Sequence, residues 1–530
     1  MKKAHRIALA VAIATFVASM LFCPAFGGDN ASRFPTGLDA EFSVTADFAS
    51  PLPLLVLELS QAGDTSKSVA GLMTVYDKPG GANSLGDNPA NVSPIEARVW
   101  AAATDAGKYK YAIRLAPVGE TAATAVSFAG LAADTQWILY GSLRDKGMLR
   151  NGVAHALGRI LFGDDAPETR FCEVLVKHGD RYEYHGIHIL SAGDQPEEKS
   201  SNSGGGSFLI QYSPGTDRLG NNVVRLGSRI FTVISPSDEG DRAESQRTIA
   251  VELAKLDNAL QSIRPEAFLA YKTTLDQRSA IDLYILNSLT LNALDTKASF
   301  RLFKNQSGRL QFLPVWDFDR ALDNTPAREY PLPFEEKISL AEPPSLLSRR
   351  LPVWRTLEAG GDIRDLRVYP AYQTLDGENF LWFDRLFLSR SFLMELYERY
   401  HILRRTVLSP EAVQGMVDGI IAELGPALDR DWARWNREYT AAAGPYALSP
   451  FIDEEGIRHI RQTVSSDQDV VKIRRNLREQ DAFLMEQMEQ LAWMTVDLYD
   501  SGTAGNRQAA YALGVIVGMM ALMHLLSKKL

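Results

Sequence analysis

The sequence has little cysteine: two residues in 530, Cys23 and Cys172. Cys23 falls in an N-terminal run that reads as a cleaved leader, so Cys172 stands alone and no intramolecular disulfide is available. Cys172 lies in the apolar run from Phe171 to Val176, where a buried structural thiol is the reading rather than a nucleophile. Histidine is also scarce, eight in all, and none forms an H-E-x-x-H or Cys/His spacing, which excludes the familiar zinc sites. No G-x-S-x-G segment occurs, which removes the usual esterase reading. Positive charge is in deficit, with a formal net charge of -9, and this argues against non-specific nucleic-acid binding. Long like-charge runs and internal repeats are absent, so neither a charged tail nor a solenoid is expected.

What is present is an ordinary globular composition, 45% hydrophobic and 23% charged, in a chain long enough for two or three domain-sized units. Lys2, Lys3 and Arg6 precede an apolar run from Ile7 to Phe22, and Ala25-Phe26-Gly27 offers small residues for cleavage. Residues 1–27 therefore read as a secretory signal peptide. A lipoprotein reading through Cys23 is opposed by the bulky Leu21-Phe22. Near the other end, Ala509 to Leu526 is uncharged and mostly apolar and is followed by Lys528 and Lys529. As a helix this run spans about 27 Å, enough for a bilayer core. Basic flanks at both outer ends place both on the cytoplasmic side and the body outside. The expectation is an exported protein, periplasmic or at the cell surface, anchored by a transmembrane helix at 509–526. A buried terminal helix and a sorting tail that is later removed remain alternatives.

Patterning then divides the chain. Glu41 to Phe48 alternates, Pro53 to Leu59 reads as a buried strand, and Lys78 to Pro94 as loop. Ile95 to Ala103 and Tyr109 to Leu115 read as paired strands, as does the stretch Phe171 to Ile189. Val153, Leu157 and Ile160 fall at helical spacing between these pairs. A Gly/Ser-rich loop follows at Gly193 to Ser207. From Gln246 the chain turns helical: Ile249, Leu253, Leu256, Leu260 and Ile263 form one apolar face. Leu477, Leu484, Met488, Leu491 and Leu498 form another.

The densest chemistry lies between Asn292 and Asn324. A helix-like run, Ile281 to Leu294, stops at Asp295. Phe300 to Phe303 reads as a strand, Asn305 to Gly308 as a turn, and Leu310 to Val315 as a second strand leading into Trp316-Asp317-Phe318-Asp319. A hairpin with one carboxylate before its first strand and two after its second can gather three acids around one point. Metal-assisted phosphoryl transfer needs that grouping, one carboxylate to accept a hydroxyl proton and others to hold Mg²⁺ against phosphate oxygens. Acids at such a turn are equally the residues of an ordinary surface turn.

Asn292, Asp295, Ser299 and the segment Pro314 to Asp319 resemble the hallmark of the spore coat protein H kinase-like family. The resemblance runs over roughly residues 50 to 500 and is strongest at 134–190 and 246–324. It implies an α+β, two-lobed atypical kinase-like fold, with a β-rich N-terminal lobe (28–240), a larger helical C-terminal lobe (241–500), and a cleft between them. It implies ATP and Mg²⁺ as cofactors, Asp295 as catalytic base, Asp317 and Asp319 as metal ligands, and Asn292 and Ser299 as supporting polar groups. Lys108 or Lys110 stands where the family has a phosphate-contacting lysine, or is a surface strand lysine. Arg150 and Asn151 either face the nucleotide cleft or serve the start of a helix. The family's glycine turn is replaced by Trp100 to Ala103, and Ala192 stands where an acid often pairs the lysine. The implied function is transfer of the ATP γ-phosphate to Ser or Thr of a surface or exported protein. A catalytically inactive surface adhesin or assembly module, and nucleotidyl transfer at the same acids, are the alternatives.

Overall fold

The computed structural model describes residues 40–60, 69–78, 80–99, 110, 113–118, 124–192, 207–212, 222–227, 229–235, 242–262, 264–292, 300–304, 308–314, 317–324, 382–386, 389–441, 447–448, 451–452 and 458–494. The expected leader, the apolar run at 509–526, the Gly/Ser-rich loop at 193–206, Lys108, Asp295 and Ser299 lie outside them.

The N-terminal strands are Leu54–Leu59 (β1), Val69–Tyr76 (β2), Asn91–Val99 (β3), Ile113–Pro117 (β4), Trp137–Tyr140 (β5), Thr169–His178 (β6) and Arg181–Ala192 (β7). They follow the order β7-β5-β4-β3-β2-β1-β6, and the β6–β7 pairing closes the ring. The expected β-rich lobe is thus a closed seven-stranded barrel and not the open lobe of a two-lobed kinase fold. The cause is the strand after Pro53. One of its edges pairs antiparallel with β2, and the other pairs parallel with β6 from Leu54↔Glu173 to Leu57↔Val176. Closure leaves no edge to protect. Alternation along the strands sends Leu55, Leu57, Met73, Val75, Ile95, Trp137 and Leu139 into one apolar interior, with Cys172 among them. Two local expectations shift. Of Glu41 to Phe48 only Ser43–Val44 forms a strand, paired with β7, because the chain turns back from Thr45 to Phe48. The strand β3 begins at Asn91, inside the expected loop, because Asn91 pairs with Val75.

A helix, Leu149–Phe162 (α1), lies against the outer face of the barrel. A second sheet takes strands from either side of residue 240: Phe208–Tyr212 (β8), Val223–Leu226 (β9), Arg229–Ser235 (β10), Arg301–Lys304 (β11) and Leu310–Leu313 (β12), in the order β9-β10-β8-β11-β12. Between these strands run Arg242–Gln261 (α2) and Gln277–Leu289 (α3). The apolar face expected on α2 is the buried one, through Ile249, Leu253, Leu256 and Leu260. Asp276 caps α3 by accepting from the Ser279 N–H. The expected hairpin forms as β11 and β12, in register from Arg301↔Leu313 to Lys304↔Leu310. The longer helices of the remaining described chain are Arg390–Arg404 (α4), Pro410–Leu424 (α5), Pro426–Thr440 (α6) and Ser466–Met494 (α7).

One large core joins the barrel's outer face (Ile138, Phe171, Ile187) to α1, the second sheet and the helices. The helix α6 lies on β7, and α7 packs against α3 and α4. Among the described residues no helix is long and apolar enough to cross a membrane. The longest, α7, carries Asp467, Asp469, Lys472, Arg474 and Arg475 within its first turns.

Candidate functional site

β12 delivers the Asp317-Phe318-Asp319 turn to the rim of the barrel. Phe318 is buried and meets the His155 ring of α1 edge-on, with centroids 5.8 Å apart. This anchor fixes the turn between its two acids. Asp317 accepts the Asp319 N–H at 3.0 Å, a local side-chain turn of the kind aspartate favours. After Asp319 two consecutive non-glycine residues, Leu322 and Asp323, take positive φ of 53° and 62°. That strain is held from several sides. The Leu322 N–H donates to the Thr290 carbonyl at the end of α3, and Asn324 donates to the carbonyls of Asp319 and Arg144. Arg461 and Lys472 bind Asp323, at 3.0 and 3.3 Å.

Donors ring the two carboxylates. Ser142 donates its hydroxyl to Asp319 Oδ2, and Asn151 Nδ2 donates to Asp319 Oδ1 at 3.0 Å. The Tyr140 hydroxyl faces both acids, and burial first, then the two carboxylates, push its pKa well above the usual phenol range. The Asp317 carboxyl is raised, by the dense protein around it and next by the neighbouring Asp319 carboxylate. Asp317 nevertheless reaches solvent, so the repulsion by Asp319 is the part of the shift that a bound cation would relieve. Among the described residues no group of three or more His, Cys, Asp or Glu is placed to hold a metal ion. A pair of aspartates still fits Mg²⁺, which is commonly held by one or two carboxylates with phosphate oxygens and water completing the octahedron.

Of the other residues singled out from the sequence, Asn292 is buried at the end of α3. Its N–H donates to the Asn287 carbonyl and its side chain to Asn287 Oδ1, at 2.9 and 3.1 Å, so it closes that helix. Arg150 is wholly buried and forms a two-pronged pair with Asp469 of α7, at 2.7 and 2.8 Å. Lys110 is buried too, donating to Asp431 Oδ1 at 2.8 Å and to the Tyr439 hydroxyl at 3.1 Å. A lysine expected to lack an acidic partner has one, supplied by α6 at a distance of 321 residues in sequence. Asp431 also accepts the Ile187 N–H beside Gly186, where β7 bulges.

Tyr140, Ser142, Asp431 and Asp469 were not singled out from the sequence, and Asp145 was marked only as part of the family resemblance, without a role. Buried Asp145 accepts the N–H groups of Arg150 and Asn151 at the start of α1, and burial raises its carboxyl to about 6 against the opposing Arg150. Its signal was the helix-start pattern Asp145 to Asn151; the other four carry no local signal.

The α+β chain thus brings two aspartates, at the end of a hairpin, against the polar side chains of Tyr140, Ser142 and Asn151. Residues 104–455 match the family described as CotH kinase protein, and the chain belongs to that family. Kinase-like families use nucleotide and metal in general terms. No curated protein matches the sequence.

Proposed function

We propose that the chain is an exported, membrane-tethered phosphotransferase that binds ATP with Mg²⁺ and moves the γ-phosphate to Ser or Thr of a surface protein. The observation that supports it best is the pair Asp317 and Asp319, two carboxylates that repel one another within a ring of donors. When bound, a divalent cation would neutralise charge on the phosphates. Asp317 and Asp319 would hold it, while Tyr140, Ser142 and Asn151 keep the acids in place. Asp295 would accept the proton of the acceptor hydroxyl, a role that rests on its motif alone. Export and tethering rest on the leader-like residues 1–27 and the apolar run at 509–526.

Asp295→Asn should leave ATP affinity within a few-fold of wild type yet cut γ-label transfer to protein about 10²–10⁴-fold, as loss of a general base does. Asp317→Ala should lose the thermal stabilisation that Mg²⁺ and ATP give together. Equal label transfer by wild type and Asp295→Asn would exclude the base assignment. Transfer of α-label instead would make the chemistry nucleotidyl transfer.

A second reading, a binding module without catalysis, is favoured by one observation. Lys110 and Arg150, the described cations singled out for phosphate contact, are both engaged in buried ion pairs. Wild-type protein that folds and binds partners but transfers neither label would establish it.

A further inference from the structure

Asn151 is fully buried and makes three side-chain bonds with one amide. Its Oδ1 accepts the Phe318 N–H at 2.9 Å, and its Nδ2 donates to Asp145 Oδ2 at 2.8 Å and to Asp319 Oδ1 at 3.0 Å. Only one orientation satisfies all three. Turned over, the amide would set its oxygen against two carboxylates and its NH₂ against a backbone N–H. Asp145 fixes the residue a second time by taking the backbone N–H groups of Arg150 and Asn151, at 3.0 and 2.9 Å. Asn151 therefore ties the backbone between the two acids to the carboxylate of one of them. Ser142 holds the other oxygen of Asp319 from the end of β5. Both oxygens of Asp319 are thus oriented, one from the start of α1 and the other from the end of β5.

We propose that Asn151, oriented by Asp145 and assisted by Ser142, is a positioning residue that sets the Asp319 carboxylate, and its spacing from Asp317, for Mg²⁺ in preference to larger cations. The proposal rests on the kinase-like reading above. Mg²⁺ demands a near-ideal octahedron at short distances, whereas Ca²⁺ accepts irregular arrangements of oxygen ligands. Loosening the acids should accordingly harm Mg²⁺ far more than Ca²⁺. A role confined to stability would lower the melting temperature and leave the ratio of the two metals unchanged.

The test uses full-length protein with ATP and compares the half-saturating concentrations of Mg²⁺ and Ca²⁺, read by calorimetric titration, in wild type, Asn151→Ala and Ser142→Ala. Outer groups that orient a metal ligand typically matter about 10–100-fold in metal affinity. Asn151→Ala should raise the Mg²⁺ midpoint about tenfold or more and move the Ca²⁺ midpoint much less. Ser142→Ala should shift the ratio in the same direction by less. In metal-free protein, the Phe318 amide should exchange with solvent faster in Asn151→Ala, since its acceptor is gone. Folded variants with an unchanged Mg²⁺/Ca²⁺ ratio overturn the positioning role alone. Where Asn151→Ala does not fold, an unchanged ratio in Ser142→Ala does the same. Wild type that binds ATP with no dependence on either metal overturns the kinase-like reading itself, and this inference with it.

Discussion

Gly186 shows how one residue decides whether α6 can sit on the barrel. Its φ of +93° lies where a side chain is strained, and an added Cβ would meet Asp431 Oδ1 at 2.4 Å and Trp435 Nε1 at 2.8 Å. Gly186→Ala should cost about 3 kcal/mol, combining strain and overpacking. The check is a fall in urea midpoint at unchanged slope. Asp145 makes a second prediction at this scale. Its carboxyl stands at about 6 against an ordinary 3.8, so the folded protein holds more protons than the unfolded chain between those values. Stability contributed by this group is therefore full below about pH 4 and falls as pH rises to about 6, by roughly 3 kcal/mol for a group so fully buried. Urea unfolding of Asp145→Asn across pH 4 to 7 should lack that decline; a decline equal to that of wild type would assign it to other groups.

At the scale of elements, the barrel and α6 meet through buried charge. The side chains of Lys110 and Asp431 are both without solvent contact, and Glu183–Arg434 and Glu173–Arg430 add two further ion pairs between β6, β7 and α6. Removing one partner of such a pair leaves a buried charge and costs about 3–5 kcal/mol, whereas removing both to apolar residues costs less than the sum. Lys110→Met and Asp431→Leu should each destabilise strongly, and the double variant should recover more than about 1 kcal/mol of that sum. Simple additivity in denaturant unfolding would show that the two side chains do not depend on one another. The elements themselves were largely legible. The apolar stripe of α2, the hairpin β11–β12 and the strand pair β6–β7 follow from periodicity and turn residues within a few positions of each other. The partners were not: nothing near Lys110 marks Asp431, and Ala192, where an acid was sought, lies at the end of β7.

Across the whole molecule, chains of this length usually unfold in stages, domain by domain. Here α1 is held by Arg150 to Asp469 of α7, the barrel is held by Lys110 to α6, and the second sheet draws on both parts of the chain. Burial would raise the Asp469 carboxyl, but Arg150 first, then Lys146 and Lys472, hold it down at about 2. We expect one calorimetric transition for the described body, with Asp469→Asn lowering it as a unit. Two separated transitions in the wild type would show that the barrel and the helical part melt independently.

The sequence by itself determined what short-range chemistry can write. It marked the acids at the end of a hairpin, the strand that follows Pro53, the buried stripe of α2 and the family to which these belong. Tertiary structure decided the rest. Ser142 and Asn151 lie 177 and 168 residues from Asp319, and the acid facing Lys110 lies 321 residues away. Closure of the barrel likewise depends on a parallel pairing between β1 and β6, more than a hundred residues apart. Periodicity and turn preference are properties of neighbours in the chain. Hydrogen-bond partners, buried ion pairs and sheet closure are properties of neighbours in space, chosen only when the folded core brings them together.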